Sequence, residues 1–162
     1  MLSPMRSSCV IAAYVSAAVC RGLLVGLAVW LLALCLGYVV MAHVLLLCVI
    51  LLATACVFAL LGMINAFYAR TYDGIAFVPQ VVLMPLIYLG GVFYPLQQLP
   101  LFWRHVSLFN PIAYLIDLAR FAMLGYADFS LSLATLVTGI CIVVLYAWCY
   151  NCLLYTSPSP RD

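Results

Sequence analysis

Residues 22–69 read GLLVGLAVWLLALCLGYVVMAHVLLLCVILLATACVFALLGMINAFYA, 48 consecutive positions without one Asp, Glu, Lys or Arg. A helix needs about 20 apolar residues to cross the ~30 Å hydrocarbon core of a bilayer, so this run has room for two crossings. Two further uncharged stretches, 74–103 and 129–160, follow it. A soluble domain carries charge at roughly a quarter of its positions. Here the share is 6%, hydrophobic residues make up 70% of 162 positions, and the mean hydropathy is +1.29. These values imply an all-α integral membrane protein whose first partner is the lipid bilayer.

The ionisable side chains are few: Arg6, Arg21, Arg70, Arg104, Arg120 and Arg161 against Asp73, Asp117, Asp128 and Asp162. There is no Lys and no Glu. A phosphate-binding P-loop uses its Lys to reach the terminal phosphates, so ATP hydrolysis by that route is excluded. A zinc-protease HExxH motif and any Glu-based acid/base pair are excluded with it. A net charge of +2 on scattered arginines offers no basic stripe for nucleic acid. His43 and His105 are the only imidazoles, and no cluster of ligands or nucleophiles surrounds either in sequence, which argues against a membrane-embedded enzyme. His43 reads as an interfacial polar residue near a helix end.

Eight cysteines suggest a disulfide framework until they are placed. Cys20, Cys35, Cys48, Cys56 and Cys141 fall within apolar segments and Cys9 opens one, positions at which free Cys behaves as a small hydrophobe. Cys149 and Cys152 have redox-motif spacing, but Cys152 begins a stretch of different character. Residues 152–162 (CLLYTSPSPRD) resemble the in-frame translation of a common sequencing adapter. The expected organisation is therefore one partial membrane domain over residues 1–151 and a non-native tail over 152–162, excluded from fold reasoning.

The expected spans are Gly22–Val40, Val44–Tyr68, Ile75–Phe93 and Leu131–Tyr150. The first, 19 residues, covers ~28 Å at 1.5 Å per residue. Arg21 precedes it and is expected at the headgroup boundary, where its long side chain snorkels. The apolar stretch Cys9–Cys20 before it is either a cytosolic extension of this helix or a helix lying at the interface. Ala69-Arg70-Thr71-Tyr72-Asp73-Gly74 forms a compact polar turn after the second span. The third span contains Pro79 and Pro85 and ends at Gly90-Gly91. Proline in a spanning helix is tolerated where neighbours satisfy the freed carbonyls, so this helix is expected to be kinked and packed against protein.

Between Tyr94 and Asp128 the prolines Pro95, Pro100 and Pro111 cut the chain into pieces too short to cross. Amphipathic pieces of that length imply a re-entrant or interfacial helical hairpin. Phe102, Trp103, Tyr114 and Tyr126 are expected at headgroup depth. Asn110-Pro111 reads as a helix start, with Asn110 the cap and Pro111 in the first turn. Asp117 and Arg120, three apart, share a helix face as an i,i+3 pair. The positive-inside count is a tie, which leaves orientation open.

The stretch FVPQVVLMPLIYLGGVFYPLQQLPLFWRHVSLFNPIAYLIDLARFAMLG, Phe77 to Gly125, resembles the signature region of ABC type-2 transporter permeases. The matching positions are Pro85, Gly90, Gly91, Phe93, Tyr94, Leu99, Pro100, Asn110, Pro111, Tyr114 and Arg120. Arg21-Gly22 and the Asn65–Asp73 junction resemble the same family, in particular its small stand-alone exporters. The resemblance implies a six-helix permease of which this chain holds the last four, with an exterior re-entrant hairpin before the last helix. It places Arg70–Asp73 in the cytosol and residues 94–128 outside, in a bacterial plasma (inner) membrane. It also implies a second permease copy and a separate ABC-type ATPase subunit that binds ATP, with no cofactor in this chain.

On that resemblance Gly90, Gly91, Tyr94 and Pro95 form the break that launches the hairpin, and Asn110 and Pro111 turn it. Asp117 and Arg120 hold its exterior face or line the exit, and Arg70 and Asp73 are candidate contacts with the ATPase. Two other classes remain: an ion-coupled carrier, which is expected to show carboxylates at membrane depth, and a non-transporting scaffold subunit.

Overall fold

A computed structural model of the chain describes residues 7–37, 43–69, 71–93 and 100–156. Among these residues the secondary structure is helical: α1 (Ser7–Cys35), α2 (Val44–Tyr68), α3 (Tyr72–Val78), α4 (Met84–Leu89), α5 (Leu101–Leu108), α6 (Pro111–Leu124) and α7 (Leu131–Thr156), with a π-helical turn over Pro79–Leu83 joining α3 to α4. α1, α2 and α7 are each long and apolar enough to cross a membrane. The bent pair α5–α6, at 92°, makes a fourth if counted as one span.

The second expected span matches α2 residue for residue. The first does not. α1 begins at Ser7 rather than after Arg21, and Arg21 lies at its middle, exposed. No proline interrupts residues 7–35 and Arg is a strong helix former, so a single charge does not break the helix. At the other end α1 stops at Cys35, and Gly37 turns the chain with φ +72. Residues 38–40 of the expected span lie outside the described residues.

The third expected span also differs. Its helix starts at Tyr72, changes to π geometry at Pro79, and ends at Leu89. Its apolar part, 74–89, covers ~24 Å at 1.5 Å per residue, short of the ~30 Å core. The Gly90-Gly91 break ends it early. α7 runs past the expected Tyr150 to Thr156, and Leu153 packs against the core.

Two clusters hold the bundle. Ile11 of α1, Val57, Leu60 and Met63 of α2, Leu115 of α6, and Leu145 and Cys149 of α7 form the first. Leu47 and Ile50 of α2, Tyr114, Leu118 and Ala122 of α6, and Ala134 of α7 form the second. α6 therefore runs antiparallel along the first half of α2. Ala122 accepts the backbone N–H of His43 (3.0 Å), and the His43 ring stacks on Phe121 at 5.8 Å. Seven residues back along α6, ~10 Å at 1.5 Å per residue, Leu115 joins the first cluster together with Val57 of α2. The hairpin thus penetrates the bundle instead of lying on it.

Placement of the aromatics follows. Phe102, Trp103 and Tyr126 are exposed. Tyr114 is buried instead, its hydroxyl donating to the Leu108 carbonyl (2.9 Å) and its ring against Phe129 at 4.7 Å. The cysteines are free thiols, and Cys149 is buried against the Leu60 carbonyl at 3.5 Å.

The large apolar side chains left exposed on α1, α2 and α7, among them Leu24, Leu45 and Val143, are suited to lipid. The expected outcome in membranes is that the chain stays in the pellet through alkaline carbonate extraction and is released only by detergent. Immunoblotting of pellet and supernatant checks it.

Candidate functional site

α4 stops because two glycines follow it, each for a different reason. Gly91 has φ +81, a left-handed conformation that costs a residue with a Cβ ~1–2 kcal/mol. Gly90 is helical (φ −70) but tightly enclosed. A Cβ there would lie 2.6 Å from Ile116 Cδ1 on α6.

A helix end leaves its last carbonyls without backbone partners, and in lipid no water replaces them. The hairpin supplies donors to Leu89 and Gly91, and a second one to Leu86, which already accepts the Gly90 N–H (2.9 Å). Asn110 Nδ2 donates to the Leu86 carbonyl (2.6 Å), Ser107 Oγ to the Leu89 carbonyl (2.8 Å), and the Arg120 guanidinium to the Gly91 carbonyl. Asn110 also caps α6 as expected, its Oδ1 accepting the Ile112 N–H (3.0 Å), with Pro111 at the first helical position. Ser107 and Asn110 are both buried. Three side chains from three turns of the hairpin therefore grip one helix end.

The second arm of Arg120 reaches Asp128 Oδ2 at 2.8 Å, with the two side chains only 12% and 7% exposed. Asp117 is 2% exposed, and its carboxylate accepts the backbone N–H groups of Asp128 (2.8 Å) and Phe129 (3.0 Å). The expected Asp117–Arg120 pair is therefore corrected. The two share a helix face, but among the described residues each binds elsewhere. Asp117 holds the loop between α6 and α7, and Arg120 ties that loop to the end of α4. Burial decides the difference, because enclosed backbone N–H groups near Asp117 also need an acceptor.

Of the residues singled out by sequence, Gly90, Gly91, Asn110, Pro111, Asp117 and Arg120 thus converge on one place. Tyr94, Pro95 and Arg70 lie outside the described residues. Asp73 falls in the first turn of α3, and its side chain is not among those described. Thr71 caps that helix, its hydroxyl accepting the Gly74 N–H (3.3 Å).

Sequence reasoning missed Ser107, Asp128 and Asn65. Asn65 Nδ2 donates to the Ile75 carbonyl at 2.8 Å, joining the end of α2 to α3. Ser107 carried a weak signal, four residues before a proline that cannot give it a helical N–H. Asp128 carried none beyond its charge.

The ABC-2 type transporter family profile matches residues 1–124. Over 151 residues the chain is 38% identical to the inner membrane transport permease YadH of Escherichia coli (strain K12), covering 93% of this chain and 59% of that protein. It is 34% identical over 121 residues to nodulation protein J of Rhizobium leguminosarum bv. viciae, covering 75% of this chain and 47% of that protein. The chain therefore spans about three-fifths of the first relative's length. No solved structure matches it.

Removing one partner of a buried ion pair costs about 3–5 kcal/mol. Arg120→Met is expected to lower stability in detergent by that order, read as a lower thermal midpoint, and to free the α4 end. Arg120→Lys recovers little, since an ammonium lacks the fork that spans two acceptors. Asp117→Asn leaves one of two N–H groups without an acceptor and costs about 1–3 kcal/mol. Gly91→Ala costs about 1–2 kcal/mol through φ alone, and Ile116→Val does not relieve it. Thermal unfolding of the four single variants and the Gly91→Ala/Ile116→Val double variant in one detergent checks all of them.

Proposed function

This chain belongs to the ABC-2 type transporter family, and on that premise we propose that it is a permease subunit of an ATP-driven exporter. It forms a share of the translocation path in a bacterial inner membrane. A separate ABC-type ATPase subunit binds and hydrolyses ATP, and a second permease copy completes the path. The α2–α3 turn with Arg70 and Asp73 faces the cytosol and receives the ATPase, while the hairpin α5–α6 faces outward. ATP-driven closure of the cytosolic subunits rocks the helices, and a lateral apolar path opens outward.

One observation carries this reading: the re-entrant hairpin is bonded to the end of a helix that carries a π turn at Pro79, through Asn110, Ser107 and Arg120. A helix fixed at its outer end and joined at its inner end to a polar turn is suited to carry a displacement across the membrane. The name of one relative, an inner membrane transport permease, supports transport as the general activity. The absence of Lys and Glu supports a partner as the energy source. The only carboxylates between residues 74 and 160 are Asp117 and Asp128, both engaged in the hairpin, which disfavours an ion-coupled carrier.

The experiment is co-expression with an ABC-type ATPase subunit from the source genome. The expected result is co-purification through the permease and an ATPase rate that rises several-fold when the permease is present in nanodiscs. Loss of the rise on replacing Arg70 and Asp73 together, with copurification weakened, supports the cytosolic docking turn. An ATPase that neither copurifies nor responds overturns the reading.

A further inference from the structure

Pro79 has no N–H. In an α-helix that group would bond to the carbonyl four residues earlier, which is that of Ile75. Ile75 O therefore lacks its α-helical donor. At Pro79 the helix widens to π geometry, and the Met84 N–H bonds to the Pro79 carbonyl, five residues back instead of four. The donor that Ile75 does receive comes from outside its helix: Asn65 Nδ2, at 2.8 Å. Only the amide nitrogen of Asn65 has a hydrogen to give a carbonyl, so the direction of the bond is fixed by chemistry.

Asn65 works on both sides of the elbow. Its backbone carbonyl accepts the Ala69 N–H at 2.9 Å and closes the last turn of α2. Its side chain holds α3 one turn above the Thr71 cap. The rest of the kinked helix makes few contacts with the bundle until its outer end: Phe77, Val78, Val81, Val82 and Met84 are all exposed. The strut is thus tied at two places, by Asn65 at the elbow and by the hairpin at Leu86–Gly91, with the π turn between them.

We propose that Asn65 is a positioning residue that substitutes for the missing N–H of Pro79 and so sets the angle between α2 and the kinked helix. The residue acts through the Ile75 carbonyl and touches no cargo. Its consequence for transport rests on the permease reading, in which this elbow lies beside the ATPase. The bond itself does not depend on that reading.

A double-substitution cycle tests it in the detergent-purified full chain. Pro79→Ala returns an N–H to Ile75 and makes Asn65 dispensable. Asn65→Ala in the Pro79 background is expected to lower the thermal midpoint by ~2–4 °C. In the Pro79→Ala background the same change is expected to move it by less than ~1 °C, since the two positions are coupled. Nitroxide amino acids placed at Leu52 and Val82, both exposed, report the elbow. Asn65→Ala broadens their distance distribution when Pro79 is present and leaves it unaltered when Ala stands there. An equal effect in both backgrounds, no effect with Pro79 present, or loss of the folded protein in both backgrounds overturns the proposal. Neither readout involves ATP or a partner, so its failure leaves the permease reading standing, and failure of ATPase stimulation leaves this bond standing.

Discussion

A backbone carbonyl in lipid must find a donor within the protein, since an unsatisfied polar group there costs several kcal/mol. An unbroken helix meets this requirement on its own, and α1, α2 and α7 are such helices. Every departure from the straight helix creates a debt elsewhere. Pro79 frees Ile75, the end of α4 frees Leu89 and Gly91, and in each case a polar side chain from a neighbouring segment answers, while Asn110 adds a second donor to Leu86 beside the Gly90 N–H. The few polar residues of the chain are concentrated at its breaks for this reason.

The same requirement explains the use of charge. Arg120 is placed where two acceptors, the Gly91 carbonyl and the Asp128 carboxylate, lie within reach of one guanidinium. A planar fork with several donors suits that task better than a point charge. A buried ion pair adds little net stability over apolar packing but is costly to break. Its contribution is therefore to register: only one docking of α6 against the end of α4 satisfies Arg120, Asn110 and Ser107 together. Asp117 acts in the same way on the following loop, where two backbone N–H groups face inward.

These contacts divide the molecule into parts of different stiffness. The hairpin, the end of α4 and the start of α7 form one bonded block around the cluster of Leu47, Tyr114 and Ala134. The kinked helix below it is exposed along most of its length and carries a π turn. On the permease reading, a rigid outer block and a hinged strut match what a partner-driven transporter requires, since displacement at the elbow is delivered to the block without melting it.

By itself the sequence determined the class, the span of α2 to the residue, the Asn110-Pro111 start of α6 and the Gly90-Gly91 break, whereas the third helix, expected to pack against protein, is exposed along most of its length. Hydropathy and backbone chemistry are local properties, written in consecutive residues. It also marked Asp117 and Arg120 as belonging together, on the face they share. Which partners they take was decided by tertiary structure. Asp117 turns to the N–H groups of residues 128–129 and Arg120 to Gly91 and Asp128, because burial removes water and leaves each group to the nearest partner in space. The extension of α1 back to Ser7 was one of two readings open in the sequence, and the choice rests on helix continuity over 29 residues, since a single Arg does not interrupt helical propensity. Asn65 was legible only as half of a bond. Proline announces a carbonyl without its donor, and only the fold says which side chain comes back to meet it.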